Sequence, residues 1–164
     1  MAKKSNHKQD AADGISLICQ NRRAFHEYEI HDTLECGIVL VGTEVKSLRD
    51  GHAGLDEAFA KVEGGELFLV GSEIPEYAMG NRMNHKAKRT RKLLIHRAEL
   101  NKFIGKAEVR GFTIVPLRMY FKGGRAKVEI AVAKGKQLHD KRQSLKTADA
   151  KRDIQRAMSR RRDG

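Results

Sequence analysis

Alternating apolar and polar residues in the second half of the chain predict a β-hairpin. The strand-like runs Phe112–Phe121 and Ala126–Ala133 flank the turn sequence KGGR. Paired glycines between two such runs favour a tight hairpin turn. The second run alternates β-branched residues with charged or small ones, which predicts one buried face and one outward face. A shorter pair of runs, Ala58–Val62 and Leu67–Val70, surrounds Gly64-Gly65 and predicts another hairpin.

Shorter patterns predict one more strand and two helices. GIVLVG, Gly37–Gly42, is a β-branched run between glycines and predicts a buried strand. Thr43 is predicted to cap a short helix over Glu44–Leu48, which Asp50-Gly51 would end. Between the hairpins, Ala98–Val109 has apolar residues at helical spacing and predicts an amphipathic helix.

These elements predict a mainly β fold. A small antiparallel Greek-key barrel of the oligonucleotide-binding type, with five or six strands and about three flanking helices, fits them best. A flat α+β sandwich remains the alternative. We expect a flexible leader over residues 1–14, one barrel domain over 15–134, and a basic tail over 135–164.

Charge narrows the possible partners. Lys and Arg outnumber Asp and Glu by 33 to 21, for a net charge of +12 and a pI of about 9.9. Residues 134–164 hold eleven basic and four acidic residues, a net charge of +7. A segment this charged cannot bury enough surface to offset its ordering entropy, so we expect it to be disordered until a polyanion neutralises it. Nucleic acid is the expected polyanion.

A second basic feature lies between Glu76 and Glu99, where the sequence has no acidic residue. Its seven basic residues are Arg82, Lys86, Lys88, Arg89, Arg91, Lys92 and Arg97. Such density favours contact with RNA phosphates, which make affinity strong and salt-dependent. A solvated loop that only aids solubility is the alternative. The following Leu93-Leu94-Ile95 is predicted to enter the core.

The segment NRRAFHEYEI carries a third candidate surface just before and within a strand-like pattern that starts at Phe25. Its candidate RNA contacts are Asn21, Arg22, Arg23, His26 and Tyr28. The first three offer hydrogen-bond donors to phosphate or sugar, and the two rings are surfaces on which a base could stack. A half-buried strand tyrosine and an ordinary exposed histidine are the alternatives for the two rings.

Other function classes find little support in the sequence. There is no P-loop spacing, no HExxH and no Cys/His cluster at zinc-ligand spacing, so we expect no enzyme, cofactor or small-molecule substrate. Tryptophan is absent and no run approaches the length of a membrane span, so we expect no membrane partner. Cys19 and Cys36 lack any pairing pattern, which indicates reduced thiols in the cytoplasm. With aromatics at 5%, recognition of structured RNA is favoured over rows of stacking platforms on a single strand.

Four motifs together resemble the small protein B family, the SsrA-binding proteins of bacterial trans-translation. They are NRRAFHEYEI, GIVLVGTEVKSLRDG, KRTRKLLIH and AVAKGKQLHDKR, in order from Asn21 to Arg142. The resemblance implies a barrel that binds the tRNA-like domain of transfer-messenger RNA and delivers it to stalled ribosomes. It also implies a tail that enters the vacant messenger channel and decoding region of the small subunit and turns helical there. A basic ribosomal or assembly protein that binds structured ribosomal RNA is the alternative.

The resemblance also implies roles for individual residues. Asn21, Glu35 and Leu94 match positions that bind the tRNA-like RNA, and Arg89, Arg91 and Lys92 are expected to join them as phosphate contacts. The expected ribosome-binding residues of the tail are Gly135, Lys136, His139, Asp140, Lys141, Arg142, Lys151, Arg152 and Arg156. Two departures stand out: Ala87 replaces a proline of many relatives, and the tail lacks the tryptophan that some relatives have.

Overall fold

A computed structural model describes residues 14–80, 82–137, 145–147, 149–152 and 154. The named strands are β1 (Ile15–Gln20), β2 (Tyr28–Ile38), β3 (Phe59–Glu63), β4 (Glu66–Val70), β5 (Arg91–Leu94), β6 (Phe112–Lys122) and β7 (Arg125–Gly135). The named helices are α1 (Arg22–Glu27), α2 (Gly42–Arg49) and α3 (Arg97–Ala107). The described residues of the tail at 145–147, 149–152 and 154 are also helical.

The sheet closes into a barrel. Its antiparallel order is β1-β6-β3-β4-β5-β2-β7, and β6 also pairs with β7. Six strands therefore form a ring, while β1 and β3 share one edge of the long strand β6. The meander β3-β4-β5 with β2 beside β5 is a Greek-key arrangement. The predicted mainly β barrel with three flanking helices is confirmed, and a closed ring excludes the flat sandwich.

Both predicted hairpins are confirmed. Gly64 and Gly65 join β3 to β4, and Gly123 and Gly124 join β6 to β7. All four have φ between 55° and 75°. A two-residue turn with two positive φ angles matches the twist of the flanking strands, and glycine reaches these angles without steric cost.

Two apolar clusters lie on opposite sides of the β6-β7 hairpin. The barrel interior holds side chains such as Leu67, Leu69 and Ile130, which are fully buried. The outer cluster places Ala131 and neighbouring apolar residues of β6 under Ala24 of α1. The prediction of a solvent-facing outer side for the second run of the hairpin is therefore wrong at this end, because α1 covers it.

The second difference from the sequence prediction is α1 itself. The strand-like pattern was expected to start at Phe25, but Arg22–Glu27 form a short helix and β2 begins at Tyr28. Asn21 caps this helix, since its side-chain oxygen accepts the Ala24 N–H at 3.0 Å. The helix is held by this cap and by packing on the outer cluster rather than by its length.

The third difference concerns GIVLVG. Its first two residues end β2, while Val39–Val41 are irregular and partly exposed, so the run is not one buried strand. Helix α2 starts from Val41 rather than Thr43, and the Glu44 side chain accepts the Val41 N–H at 2.9 Å. The predicted stop is confirmed, because the helix gives way at Asp50 and Gly51 has φ 79°.

Strand β5 corrects the prediction for Leu93-Leu94-Ile95. Leu93 is buried, but Leu94 is 51% exposed and Ile95 is only partly buried. Successive residues of a strand point to opposite faces, so the three cannot all enter the core. Helix α3 was predicted over Ala98–Val109 and is found at Arg97–Ala107, with Leu100 and Phe103 buried.

Candidate nucleic-acid interface

An open cleft on the barrel surface brings together two residues singled out in the sequence, Glu35 and Leu94. It has a volume of about 590 Å³ and is hereafter the Glu35 cleft. Its lining residues are Glu35, Gly37, Ile38, Leu40, Val45, Leu94, Ile95, His96, Glu99, Phe121, Gly124, Arg125, Ala126 and Lys127. Apolar walls beside charged groups suit the flat faces and polar edges of unpaired bases.

Glu35 organises the charged part of this cleft. Its Oε2 accepts the Tyr120 hydroxyl at 2.5 Å and Lys122 Nζ at 3.2 Å, and Lys127 Nζ lies 3.6 Å from Oε1. The Tyr120 hydrogen bond, followed by the lysine contacts, lowers the pKa of Glu35 below its usual value. Burial, and then the hydrogen bond to Glu35, raise the pKa of Tyr120. Glu35 is therefore a carboxylate at neutral pH, with the side chains of Lys122 and Lys127 in contact with it.

Leu94 supplies the apolar part. It lies on β5 opposite Gly37 of β2, and a Cβ built on Gly37 would be only 3.2 Å from Leu94 Cβ. Glycine at this position leaves room for the leucine side chain against the backbone. Half of a large apolar side chain is thus presented to solvent at the cleft.

Asn21 is buried and acts inside the fold. Its Nδ2 donates to the carbonyl oxygens of Leu55 at 3.0 Å and Pro116 at 3.2 Å, while Oδ1 caps α1. Its own N–H donates to the Leu117 carbonyl at 2.7 Å. Both side-chain polar atoms have partners within the fold, so Asn21 fixes the position of α1 rather than offering donors to solvent.

Helix α1 and the start of the tail lie together at the other end of β2. Arg22, Arg23 and His26 face solvent, although Arg23 Nη2 also donates to Glu27 at 3.1 Å. Tyr28 is half-buried against the outer cluster. Tyr28 and Glu35 are seven positions apart on β2, a span of about 23 Å at 3.3 Å per residue.

The first tail residues continue this surface. Gly135 pairs with Tyr28, and Lys136 donates its backbone N–H to the Glu27 carbonyl at 2.9 Å. Lys136 Nζ donates to the Phe25 carbonyl at 3.1 Å. Farther along, Lys151 and Arg152 are exposed and helical. Four further predicted ribosome contacts fall at 139–142 and a fifth is Arg156, and all five lie outside the described residues.

The basic segment before β5 is anchored by a buried ion cluster, hereafter the Glu44 network. Arg91 is 0% exposed. Its Nε donates to Glu44 at 2.9 Å, and its Nη1 and Nη2 donate to oxygens of Ser72, Arg89 and Ala87 at 2.7–3.0 Å. The sequence predicted a direct phosphate contact for Arg91, but this buried side chain does not reach the surface. Its guanidinium, enclosed by carbonyls and a carboxylate, ties the segment to the barrel instead.

Arg89 occupies the boundary of the Glu44 network. Its Nη2 and Nε donate to the two oxygens of Glu44 at 2.7 and 3.2 Å, and its side chain is partly exposed. Burial by itself raises the pKa of Glu44, but the Arg89 hydrogen bond, the Val41 N–H and the charge of Arg91 outweigh it and lower this pKa. Lys92 lies on the outer face of β5 in contact with Glu66.

Sequence reasoning missed four members of these two clusters: Glu44, Tyr120, Lys122 and Lys127. Glu44 lies in the predicted helix over Glu44–Leu48, and nothing local marks it as the partner of arginines 45 and 47 positions away. The other three share one outward face of the predicted β6-β7 hairpin, where Tyr120 pairs with Lys127. The alternation in that hairpin was the available signal.

Within the described residues, no group of three or more His, Cys, Asp or Glu side chains is arranged to hold a metal ion. No helix in this part of the chain is long and apolar enough to span a bilayer. Burial raises the pKa of both Cys19 and Cys36 to about 12, so neither is a thiolate at neutral pH.

The fold is a closed barrel of the oligonucleotide-binding type, and lysines flank the carboxylate of the Glu35 cleft on its surface. These features place the chain in the class of small β-barrel proteins with a charged binding face. The family model for SmpB protein matches residues 18–160. The chain is 52% identical over 162 residues to an SsrA-binding protein of Thermobifida fusca, covering 99% of this chain and all of that one. It therefore belongs to the SmpB family.

Two further comparisons agree. An SsrA-binding protein of Geobacter sulfurreducens is 51% identical over 145 residues, covering 88% of this chain and 95% of the relative. Among solved structures, a chain described as "tmRNA-SmpB: a journey to the center of the bacterial ribosome" matches with a TM-score of 0.63 and 48% identity. The match covers 73% of this chain and 85% of that chain.

Proposed function

We propose that this chain is the RNA-binding adaptor of trans-translation in its cell. The barrel binds the tRNA-like domain of transfer-messenger RNA, and the complex is delivered to stalled ribosomes. The SsrA-binding names of the relatives and the tmRNA–SmpB description of the solved neighbour support this function. The observation that carries it in this chain is the Glu35 cleft, where Glu35 and Leu94 meet beside Lys127 and where Lys122 contacts the same carboxylate.

Within this proposal the cleft works by exchange of partners. Lys122 and Lys127 swing from Glu35 to RNA phosphates, since lysine is a flexible point charge. The released carboxylate oxygen accepts from a base edge, and Leu94 packs against a base or ribose. Arg89 and Lys92 add phosphate contacts at the adjoining strand. Arg91 contributes by holding this segment in place.

The second surface serves the ribosome. Arg22, Arg23, His26 and Tyr28 lie beside the start of the tail, so we assign this end of the barrel and residues 135–164 to ribosomal RNA. The described tail residues are helical and carry Lys151 and Arg152 on the exposed surface. The tail enters the small-subunit decoding region and messenger channel, while residues 15–134 act as the RNA-binding domain.

The adaptor acts by binding alone. In this proposal it works in the cytoplasm and catalyses no reaction, and it uses neither a cofactor nor a small-molecule substrate. Its net charge of +12 provides the long-range attraction to both RNA partners.

A pair of matched substitutions tests the cleft. Leu94→Ser is expected to weaken binding of a tRNA-like domain transcript about tenfold, because about 1.4 kcal/mol of apolar contact is lost. Val109→Ser is the control, since Val109 is similarly exposed at 55% but lies away from the cleft. Binding would be measured by fluorescence anisotropy at fixed salt. Equal affinity of the two variants would contradict the proposal.

A tail deletion tests the division between barrel and tail. Removal of residues 138–164 leaves β7 and the Lys136 contacts intact. We expect RNA affinity to fall only modestly, while tagging of stalled peptides in a reconstituted translation reaction is lost. A deletion that abolished RNA binding but left tagging at high RNA concentration would show that the two surfaces had been assigned in reverse.

A further inference from the structure

We propose that the first turn of α2 separates two subsites for the same RNA. The second subsite lies in a neighbouring cleft and takes a sugar-phosphate step of the tRNA-like domain. This inference rests on the proposed function, because it extends the RNA path beyond the Glu35 cleft. The neighbouring cleft, hereafter the Met83 cleft, has a volume of about 520 Å³. It is lined by Val41, Gly42, Thr43, Lys46, Met83, Asn84, His85 and Arg89.

Met83 is an unusual apolar group to leave in water. It is 94% exposed, the most exposed large apolar side chain among the described residues. The loop that carries it is nevertheless tied at its base, because the Asn84 side chain accepts the Tyr77 N–H at 3.3 Å and donates to the Tyr77 carbonyl at 2.9 Å. A methionine on an anchored loop is a flexible, polarisable contact for an irregular ligand surface.

Polar contacts between side chains and backbone also fix the wall of the Met83 cleft. Thr43 Oγ1 and His85 Nδ1 are 2.8 Å apart, and His85 Nε2 is 3.0 Å from the Ile74 carbonyl. His85 is buried, so these contacts join α2 to the loop on the far side of the cleft. The two sides that carry Lys46 and Met83 are thereby held at a fixed separation.

The charge of the Met83 cleft selects an anionic ligand. Lys46 has no carboxylate within ion-pair distance among the residues that the structure describes, and its ammonium lies 5.5 Å from the centre of the Tyr77 ring. Glu44, the nearest acid in sequence, is already neutralised by Arg89 and Arg91. The sequence has no acid from residue 77 to 98. A polyanionic ligand is therefore favoured here over a protein partner with few acidic residues.

Continuity with the Glu35 cleft indicates that the anion is the same RNA that binds there. Leu40 and Val45 line the Glu35 cleft, while Val41 and Lys46 line the Met83 cleft. Adjacent residues of one short segment thus line two neighbouring clefts. Val39 and Val41 of this segment are 42% and 45% exposed. One RNA backbone that crosses this exposed apolar segment would place a ribose on Met83 and a phosphate near Lys46.

Oxidation of methionine tests whether RNA covers Met83. Hydrogen peroxide converts an accessible thioether to the sulfoxide, and mass spectrometry of the full chain reads each site. Met79 is an internal control, since it is 87% exposed in the same loop but does not line the cleft. With the tRNA-like domain transcript bound, we expect oxidation of Met83 to slow several-fold and that of Met79 to change little.

Three outcomes would overturn the subsite. Equal oxidation of Met83 with and without the transcript would remove RNA from this cleft. Equal protection of Met79 and Met83 would indicate general shielding of the loop. Protection of Met83 only when ribosomes are added would assign the cleft to a different partner.

Substitution of Lys46 provides an independent measurement. Lys46→Ala is expected to weaken transcript binding several-fold and to reduce the slope of log affinity against log salt by about 0.9, the loss of one phosphate contact. Lys102→Ala on the exposed surface of α3 removes the same charge elsewhere and is expected to leave the slope unchanged. Identical slopes for the two variants would contradict the second subsite. The proposed function would still stand if Leu94→Ser weakened binding, and it would fail together with the subsite if neither did.

Discussion

The chain builds two clusters around a glutamate, and they differ in what surrounds the carboxylate. Glu44 is fully buried between two arginine side chains that bind it at 2.7–3.2 Å. Glu35 is 35% exposed and contacts one tyrosine and two lysines at 2.5–3.6 Å. Both carboxylates have a lowered pKa and are ionised at neutral pH. Only one of them can change partners.

The difference lies in the cations and in their burial. Arginine binds a carboxylate through a rigid fork of donors, and the Arg91 fork is completed by carbonyl oxygens of the chain itself. Water and RNA have no access to it. Lysines beside Glu35 are flexible, partly exposed point charges, so their exchange from carboxylate to phosphate costs little. Similar charges in the sequence thus serve structure at one site and, in the proposed function, RNA recognition at the other.

The sharpest way to break this comparison is the same substitution at both sites. Glu44→Gln leaves the Arg91 charge buried without a counter-charge, and we expect a loss of about 3–5 kcal/mol in the free energy of unfolding. Glu35→Gln removes an exposed carboxylate, for which about 1 kcal/mol or less is expected. Urea unfolding of both variants measures the difference. Similar losses would mean that the Glu44 network is not the structural one.

The sequence was sufficient for the parts of the fold that depend on neighbours along the chain. Both hairpins were predicted because Gly64-Gly65 and Gly123-Gly124 signal their turns locally, and alternation in the flanking runs marks the strands. Helix α1 was missed because its stability comes from distant groups. Its cap, Asn21, is held by the carbonyls of Leu55 and Pro116, 34 and 95 positions away.

The candidate site shows the same limit. Counting lysines and arginines identified the segment before β5 as basic, but charge alone does not tell an exposed arginine from a buried one. Arg91 is buried because Glu44, 47 positions away, supplies its counter-charge. Glu35 and Leu94 were named only through resemblance to a family. Their meeting in one cleft follows from the pairing of β2 with β5, which no local pattern reveals.

Acid titration tests the contribution of Glu44 to the free energy of unfolding. Because the pKa of Glu44 is lower in the folded chain, the unfolded chain binds a proton at this carboxylate more readily. The stability that Glu44 contributes is therefore present above the usual carboxyl pKa range and is lost as pH falls through the folded pKa. The gap in unfolding free energy between wild type and Glu44→Gln should therefore be widest near neutrality. It should narrow below about pH 4, by at most about 1.4 kcal/mol per pH unit. Urea unfolding over a pH series measures this gap, and a constant gap would contradict the assignment.

The smallest expected effect comes from the hydroxyl that orients Glu35. Tyr120→Phe keeps the buried ring but removes the 2.5 Å hydrogen bond, and we expect a loss of about 0.5–1.5 kcal/mol in stability. The pKa of Glu35 should rise toward its usual value, because that bond is the main cause of its depression. Carboxyl-carbon NMR over an acid titration measures the pKa, with Tyr28→Phe as a control that leaves Glu35 untouched. RNA affinity should fall less than with Leu94→Ser, since the two lysines still flank the carboxylate. An unshifted Glu35 titration would mean that the lysines, rather than Tyr120, hold this carboxylate ionised.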